Sequence, residues 1–168
     1  MRAPDPAAIR GAVQARRDEI LEWTLAFLRQ ASENRPPTGT EAGAQDFVAR
    51  ECRAAGLEVR ELLPPEVPGI QSHRYWLAGR EYPAGRRNVM ARWKGTGSGR
   101  SLLLTGHADV APFEPDNWTV CRPYQPVVRD GRLYGRGSAD MKGGLAAAFW
   151  ALRVLQDLGF RPAGDLLF

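Results

Sequence analysis

The stretch that most restricts how this chain can fold is Gly143 to Leu158. Leu145, Phe149, Leu152 and Leu155 recur along one side, and Ala146, Ala147, Trp150, Ala151 and Val154 make the other side apolar as well, until Arg153. A helix that is apolar nearly all round has to be enclosed, so the pattern predicts one packed against a sheet and closed by Gly159. Leu102-Leu103-Leu104 is apolar without alternation and reads as a strand buried on both faces in the middle of that sheet. Asp165-Leu166-Leu167-Phe168 begins another buried strand. The expected fold class is α/β, a partial mixed β-sheet flanked by helices.

The upstream segments fit that frame. Val13, Ile20, Leu21, Phe27 and Leu28 predict one amphipathic helix over 7–31, stopped by Asn34-Arg35-Pro36-Pro37. Thr40 and Glu41 look like the cap of a second helix that runs through Phe47, Val48 and Cys52 to Gly56. Leu57 to Leu62 and Asn88 to Trp93 alternate as half-buried strands do. Between them lies an irregular excursion rich in proline and glycine, with one short strand expected around Tyr75-Trp76-Leu77. Gly95-Thr96-Gly97-Ser98-Gly99 is so short a link that strands 88–93 and 101–105 are expected to form an antiparallel hairpin. A further short strand is expected at Arg132-Leu133-Tyr134.

Several function classes are set aside at this stage. The formal net charge of +4 comes from scattered arginines, with lysine only at Lys94 and Lys142, and no basic stripe interleaved with aromatics points to nucleic acid. No window approaches the run of about 18 apolar residues that a membrane span needs, and no apolar signal core follows Met1-Arg2-Ala3-Pro4-Asp5-Pro6. A cytoplasmic protein is expected. Cys52 and Cys121 stand far apart, as reduced thiols would, and Cys52 falls on the apolar face of a helix.

The chemistry-bearing residues cluster around two glycine-marked loops. His107 and Asp109 follow the Leu102–Leu104 strand two residues apart, and side chains two apart on extended backbone share a side. Asp109 can therefore hold one ring nitrogen of His107 while the other faces a metal. Asp140, in Gly135-Arg136-Gly137-Ser138-Ala139-Asp140, arrives from a second loop and can complete part of a coordination shell or bridge two ions. A histidine capped by a neighbouring carboxylate, with no metal, fits the same spacing. A dinucleotide fingerprint needs a glycine where Asp140 stands, and Met141-Lys142-Gly143 lacks the order of a P-loop. Ser138 has no nucleophile-elbow context. Trp118 is expected to pack, and His73 is expected to be a solvated loop histidine.

Thr105-Gly106-His107-Ala108-Asp109-Val110-Ala111-Pro112, Asn117-Trp118, Pro123-Tyr124 and the run Asp130 to Gly144 closely resemble the metal-dependent family of acetylornithine deacetylase, succinyl-diaminopimelate desuccinylase, aminoacylase and glutamate carboxypeptidase. The fold implied is the catalytic domain of zinc aminopeptidase-like enzymes. The resemblance implies that His107 binds one zinc, that Asp109 is the catalytic carboxylate orienting it, and that Asp140 bridges two zincs, with a cis peptide at Asp140-Met141. It implies hydrolysis of an amide bond in an N-acyl amino acid or peptide, two zinc ions with cobalt or manganese as substitutes, and a homodimer for the full-length enzyme. Ala111 and Tyr124 depart from the family's usual valine and phenylalanine.

The family's general base and next ligand, an adjacent glutamate pair, would come after the strand that begins at Asp165. Residues 1–168 are accordingly expected to be the N-terminal portion of a catalytic domain, without its dimerisation domain and C-terminal part, and to be inactive alone. The alternative is a non-catalytic remnant that serves as a binding or interaction module.

Overall fold

A computed structural model of the chain describes residues 4–97 and 99–168. Met1 to Ala3 of the N-terminal segment and Ser98 of the expected turn lie outside the described residues. The first helix of the sequence reading is two helices, α1 (Pro6–Ala15) and α2 (Arg17–Leu28). Asp5 caps α1 by accepting from the Ala7 amide at 3.2 Å, and Pro6 occupies the first turn, where its missing N–H costs nothing. The break falls at Arg16, at φ −101° and ψ 11°. Its guanidinium pairs with Glu19 at 2.6 Å and with Asp157 at 2.8 Å. That reorientation matters because α1 buries no residue, whereas α2 buries Thr24, Leu25, Phe27 and Leu28.

Asn34–Arg35 (β1) and Thr38–Gly39 (β2) form a small antiparallel hairpin around the cis peptide Pro36-Pro37. Thr40 does not cap the next helix. Its hydroxyl accepts from the Glu33 amide at 2.9 Å, and Glu41 occupies the cap position of α3 (Ala42–Ala54). The 63–87 excursion contains two short 3-10 turns and no strand at Tyr75–Leu77, a correction that follows from the local bonding. The Trp76 amide there donates to the His73 carbonyl at 2.8 Å, closing a turn where a strand would need an open ladder.

The main sheet has the order β3-β4-β8-β5, built from Glu58–Leu62 (β3), Asn88–Trp93 (β4), Leu102–Leu103 (β5) and Leu166–Leu167 (β8). β3, β4 and β8 are antiparallel neighbours, and β8 pairs with β5 in parallel, so the sheet is mixed. The expected β4–β5 hairpin is absent because β8 lies between them. Asp165 anchors that insertion, accepting from the Gly95 amide and from Arg92 Nε, each at 2.8 Å. The Leu102 amide in turn donates to the Asp165 carbonyl at 2.9 Å. Leu102 and Leu103 are consequently not central. Among the described residues β5 is an edge strand, with Leu102 52% and Leu103 61% exposed.

One helical layer covers the sheet. α4 (Gly143–Asp157) buries Leu145, Ala146, Phe149, Trp150, Leu152 and Val154, while Ala147 and Ala151 face outward. The core is aromatic: Trp23 stacks on Phe149 with centroids 4.7 Å apart, and Phe27 stacks on Phe47 at 5.4 Å. Cys52 is fully buried among them, as expected, and burial pushes its thiol up to about 12. A second hairpin, Val127–Arg129 (β6) with Arg132–Tyr134 (β7), leads into the loop of Asp140. β6 was not legible beforehand, because its three residues lie beside Pro126 and are exposed.

Candidate metal centre

His107 stands just beyond the end of β5, and Asp140 stands in an irregular turn, Ser138–Lys142, immediately before α4. Two glycines let these segments meet. A Cβ at Gly106 would lie 2.6 Å from Met141 Cε, and Gly137, at φ 82°, leaves the room that a Cβ 2.8 Å from Val110 Cγ1 would take. The Asp140-Met141 peptide is cis. His107 Nε2 and Asp140 Oδ1 sit 3.0 Å apart, although 33 residues separate them in the chain.

On the other ring edge, Nδ1 lies 2.9 Å from the Asp109 carbonyl oxygen and 3.4 Å from the Asp109 carboxylate. The backbone oxygen is thus the nearer acceptor, where the sequence reading had only the side chain. Partial burial works against a charged His107, but the Asp109 carbonyl and the carboxylates of Asp109 and Asp140 outweigh it and hold the imidazole above its usual range. Asp140 is the loose member of the group, its side chain 87% exposed against 34% for Asp109.

The loop carrying His107 and Asp109 is clamped from the N-terminal side of the chain. The Val110 amide donates to the Ser32 carbonyl and the Asn34 amide to the Val110 carbonyl, both at 2.9 Å. Ser32 Oγ donates to the Ala108 carbonyl at 2.8 Å. Asn34 then adds a side-chain contact, Nδ2 to Asp109 Oδ2 at 2.9 Å, while Arg80 Nη1 donates to Asn34 Oδ1 at 2.6 Å. Neither Asn34 nor Arg80 was found from the sequence. No spacing links them to His107, and the only usable signal was that a carboxylate beside a histidine needs further donors.

These groups line a cleft of about 550 Å3 that also includes Trp118 and Arg136. Trp118 packs, as expected, meeting Phe113 edge-on at 6.1 Å, but it faces the cleft as well. Arg136 lies 5.3 Å from the Phe113 ring and 5.6 Å from that of Trp118. Beneath the Asp140 turn, Lys142 is fully enclosed, with Nζ donating to the Gln30 carbonyl at 2.6 Å. Burial pushes its ammonium down to about 8. His73 lies apart, exposed, its Nδ1 accepting from the Tyr75 amide at 3.3 Å.

A metal with bonds of about 2.0 Å in tetrahedral geometry places its ligand atoms about 3.3 Å apart. The 3.0 Å between Nε2 and Oδ1 is close to that edge, and one nitrogen with one carboxylate oxygen is a donor set that zinc accepts. Among the described residues no cluster of three or more histidine, cysteine or acidic side chains is arranged to hold an ion. The spacing and chemistry of His107 and Asp140 therefore fit a pair of candidate ligands.

A mixed sheet under a helical layer, with an imidazole and a carboxylate converging beyond its edge, defines an α/β protein with a candidate metal site at the end of β5. Residues 103–168 match the family model of peptidase family M20/M25/M40. The chain is 35% identical over 158 residues to N-formyl-4-amino-5-aminomethyl-2-methylpyrimidine deformylase of Halalkalibacterium halodurans, covering 93% of this chain and 33% of the deformylase. It is also 35% identical over 130 residues to succinyl-diaminopimelate desuccinylase of Xanthomonas euvesicatoria, covering 77% and 28% respectively. Among solved structures, human carnosine dipeptidase 1 shares the fold with a TM-score of 0.75 at 17% identity, over 96% of this chain and 33% of that one. A tripeptidase from Staphylococcus aureus superposes with a TM-score of 0.63 at 26% identity, over 90% and 35%. The chain spans about a third of the length of these relatives.

Proposed function

We propose that these residues form the His107 and Asp140 part of a zinc-dependent amidohydrolase, acting on the amide bond of an N-acyl amino acid or a peptide. The observation that carries the reading is the 3.0 Å approach of His107 Nε2 to Asp140 Oδ1 in the wall of an open cleft. The deformylase, desuccinylase and dipeptidase among the relatives support the reaction class. When bound, a zinc pair supplies an activated water and charge stabilisation for the oxyanion that develops at the scissile carbonyl. Cobalt and manganese suit the same donors.

His107 would hold an ion through Nε2. Asp140, with two carboxylate oxygens, would reach one ion with each. Asp109 keeps the imidazole turned so that Nδ1 donates inward and Nε2 faces the cleft. Two ligands do not complete even one zinc shell, so residues 1–168 alone are proposed to be inactive. The complete enzyme is proposed to be a cytoplasmic homodimer, and the free thiols Cys52 and Cys121 support the compartment.

The test is a chimera in which residues 1–168 replace the matching segment of the Halalkalibacterium halodurans deformylase, assayed with zinc on formyl, succinyl and dipeptide amides. Turnover that His107→Ala removes is the expected result. A folded chimera without turnover, beside an active parent, would instead favour a binding module, a reading for which the exposed β5 edge is the one structural support.

A further inference from the structure

Five side chains form one connected line across the cleft, Arg80, Asn34, Asp109, His107 and Asp140. Its direction is fixed by chemistry. A guanidinium can only donate, so Arg80 must face Asn34 Oδ1, which turns Nδ2 toward Asp109. A carboxylate can only accept, so Asp109 accepts a hydrogen bond from Asn34 Nδ2 on Oδ2, at 2.9 Å, and leaves Oδ1 turned to His107 Nδ1, at 3.4 Å. We infer that Asn34, oriented by Arg80, is a positioning residue that selects the His107 tautomer with its proton on Nδ1 and its lone pair on Nε2.

The selection is needed because two carboxylates compete for the single proton of the neutral ring. Asp140 Oδ1 stands 3.0 Å from Nε2, closer than Asp109 Oδ1 is to Nδ1. If Asp140 wins, Nε2 carries the proton and cannot ligate a cation. Two things tilt the competition the other way. The Asp109 carbonyl adds a second acceptor for Nδ1–H at 2.9 Å. Asp109 is also held, by the Asn34 amide on one side and by the backbone bonds that Ser32 and Asn34 make to the neighbouring Val110, whereas the exposed Asp140 side chain is free to turn away. Arg80 reaches this cluster from the 63–87 excursion, which gives that otherwise irregular segment a defined task at the site.

The inference rests on the metal reading for its purpose but not for its test. The full 168-residue chain, labelled with 15N, carries only His73 and His107, so long-range 1H–15N spectra assign both rings by one His73→Gln control. At a pH where His107 is neutral, the metal-free wild type is expected to show the Nδ1–H form. Asn34→Leu keeps the side-chain shape without the amide, and Arg80→Met keeps the stem without the donor. Both are expected to raise the Nε2–H population and to weaken zinc binding about tenfold or more, and Arg80→Lys is expected to restore the wild-type pattern. Circular dichroism confirms that each variant is folded. Unchanged tautomers in folded Asn34→Leu and Arg80→Met overturn the inference. A tautomer change with no zinc binding by wild type would uphold the positioning role, since two ligands alone leave a zinc shell incomplete.

Discussion

Lys142 donates to the Gln30 carbonyl at 2.6 Å from a position with no solvent exposure, joining the turn that carries Asp140 to the C-terminal end of α2. A cation there meets unsatisfied carbonyls at the negative end of the helix dipole. The Phe27 ring, 5.1 Å from Nζ, adds a cation–π contact.

Burial pushes this ammonium from 10.5 down to about 8, and the sign of the consequence follows from proton counting. Between those values the unfolded chain binds the proton and the folded chain does not, so stability rises with pH; below 8 the cost of the buried charge is fully present. Relative to Lys142→Met, the wild type should gain about 2 to 3 kcal/mol between pH 7 and pH 10. Cys52 acts in the opposite direction above its ordinary range but is common to both proteins. Urea titrations at the two pH values give the difference directly, and a difference that stays flat with pH contradicts a buried charged lysine.

Glu41 and Arg86 form an ion pair at 3.1 Å with both side chains nearly enclosed, tying the 63–87 excursion to the first turn of α3. Removing the cation strands a buried carboxylate. Arg86→Met should therefore destabilise by about 3 to 5 kcal/mol, and adding Glu41→Leu should recover much of that loss. Thermal unfolding of the single and double variants measures it. A single variant within about 0.5 kcal/mol of wild type would show that the pair is solvated.

The thiol of Cys52 is enclosed by the α3 face of the core, and burial holds it up to about 12. It should resist iodoacetamide at pH 8 until the domain unfolds, while the half-buried Cys121 is modified first. Peptide mapping after timed alkylation decides the order. Labelling of Cys52 at the rate of Cys121 would mean that the core opens locally.

The exposed edge strand β5 makes a prediction about association. Leu103→Lys places a charge on that edge and should leave folding stability within about 0.5 kcal/mol of wild type while lowering concentration-dependent self-association. Sedimentation at increasing concentration tests this. Stability lost by several kcal/mol would show that Leu103 is buried in solution.

The sequence carried the packing of α4 through Leu145, Phe149 and Leu152, although Ala147 and Ala151 face outward and the helix is not enclosed all round, and the alternation in 58–62 and 88–93 set two strands correctly. It also singled out His107, Asp109 and Asp140, whose glycine-marked loops are local signals. What it missed was long-range. The partner of β5 is β8, not the adjacent β4, and that pairing depends on Asp165 bonding to Gly95 and Arg92 across 70 or more residues. The triple leucine suggested burial on both faces, yet β5 has a neighbour on one side only among the described residues. Asn34 and Arg80 escaped for the same reason, since their meaning appears only once the hairpin of β1 and β2 lies beside residues 108–110.

The most direct test of the central claim, that His107 Nε2 and Asp140 converge on a metal, is a zinc titration of the 15N-labelled chain followed at its two imidazole rings. His107 Nε2 is expected to shift on zinc addition while His73 does not, and Asp140→Asn is expected to weaken the response. Rings that respond equally, or a His107 that stays unmoved at millimolar zinc, would contradict it.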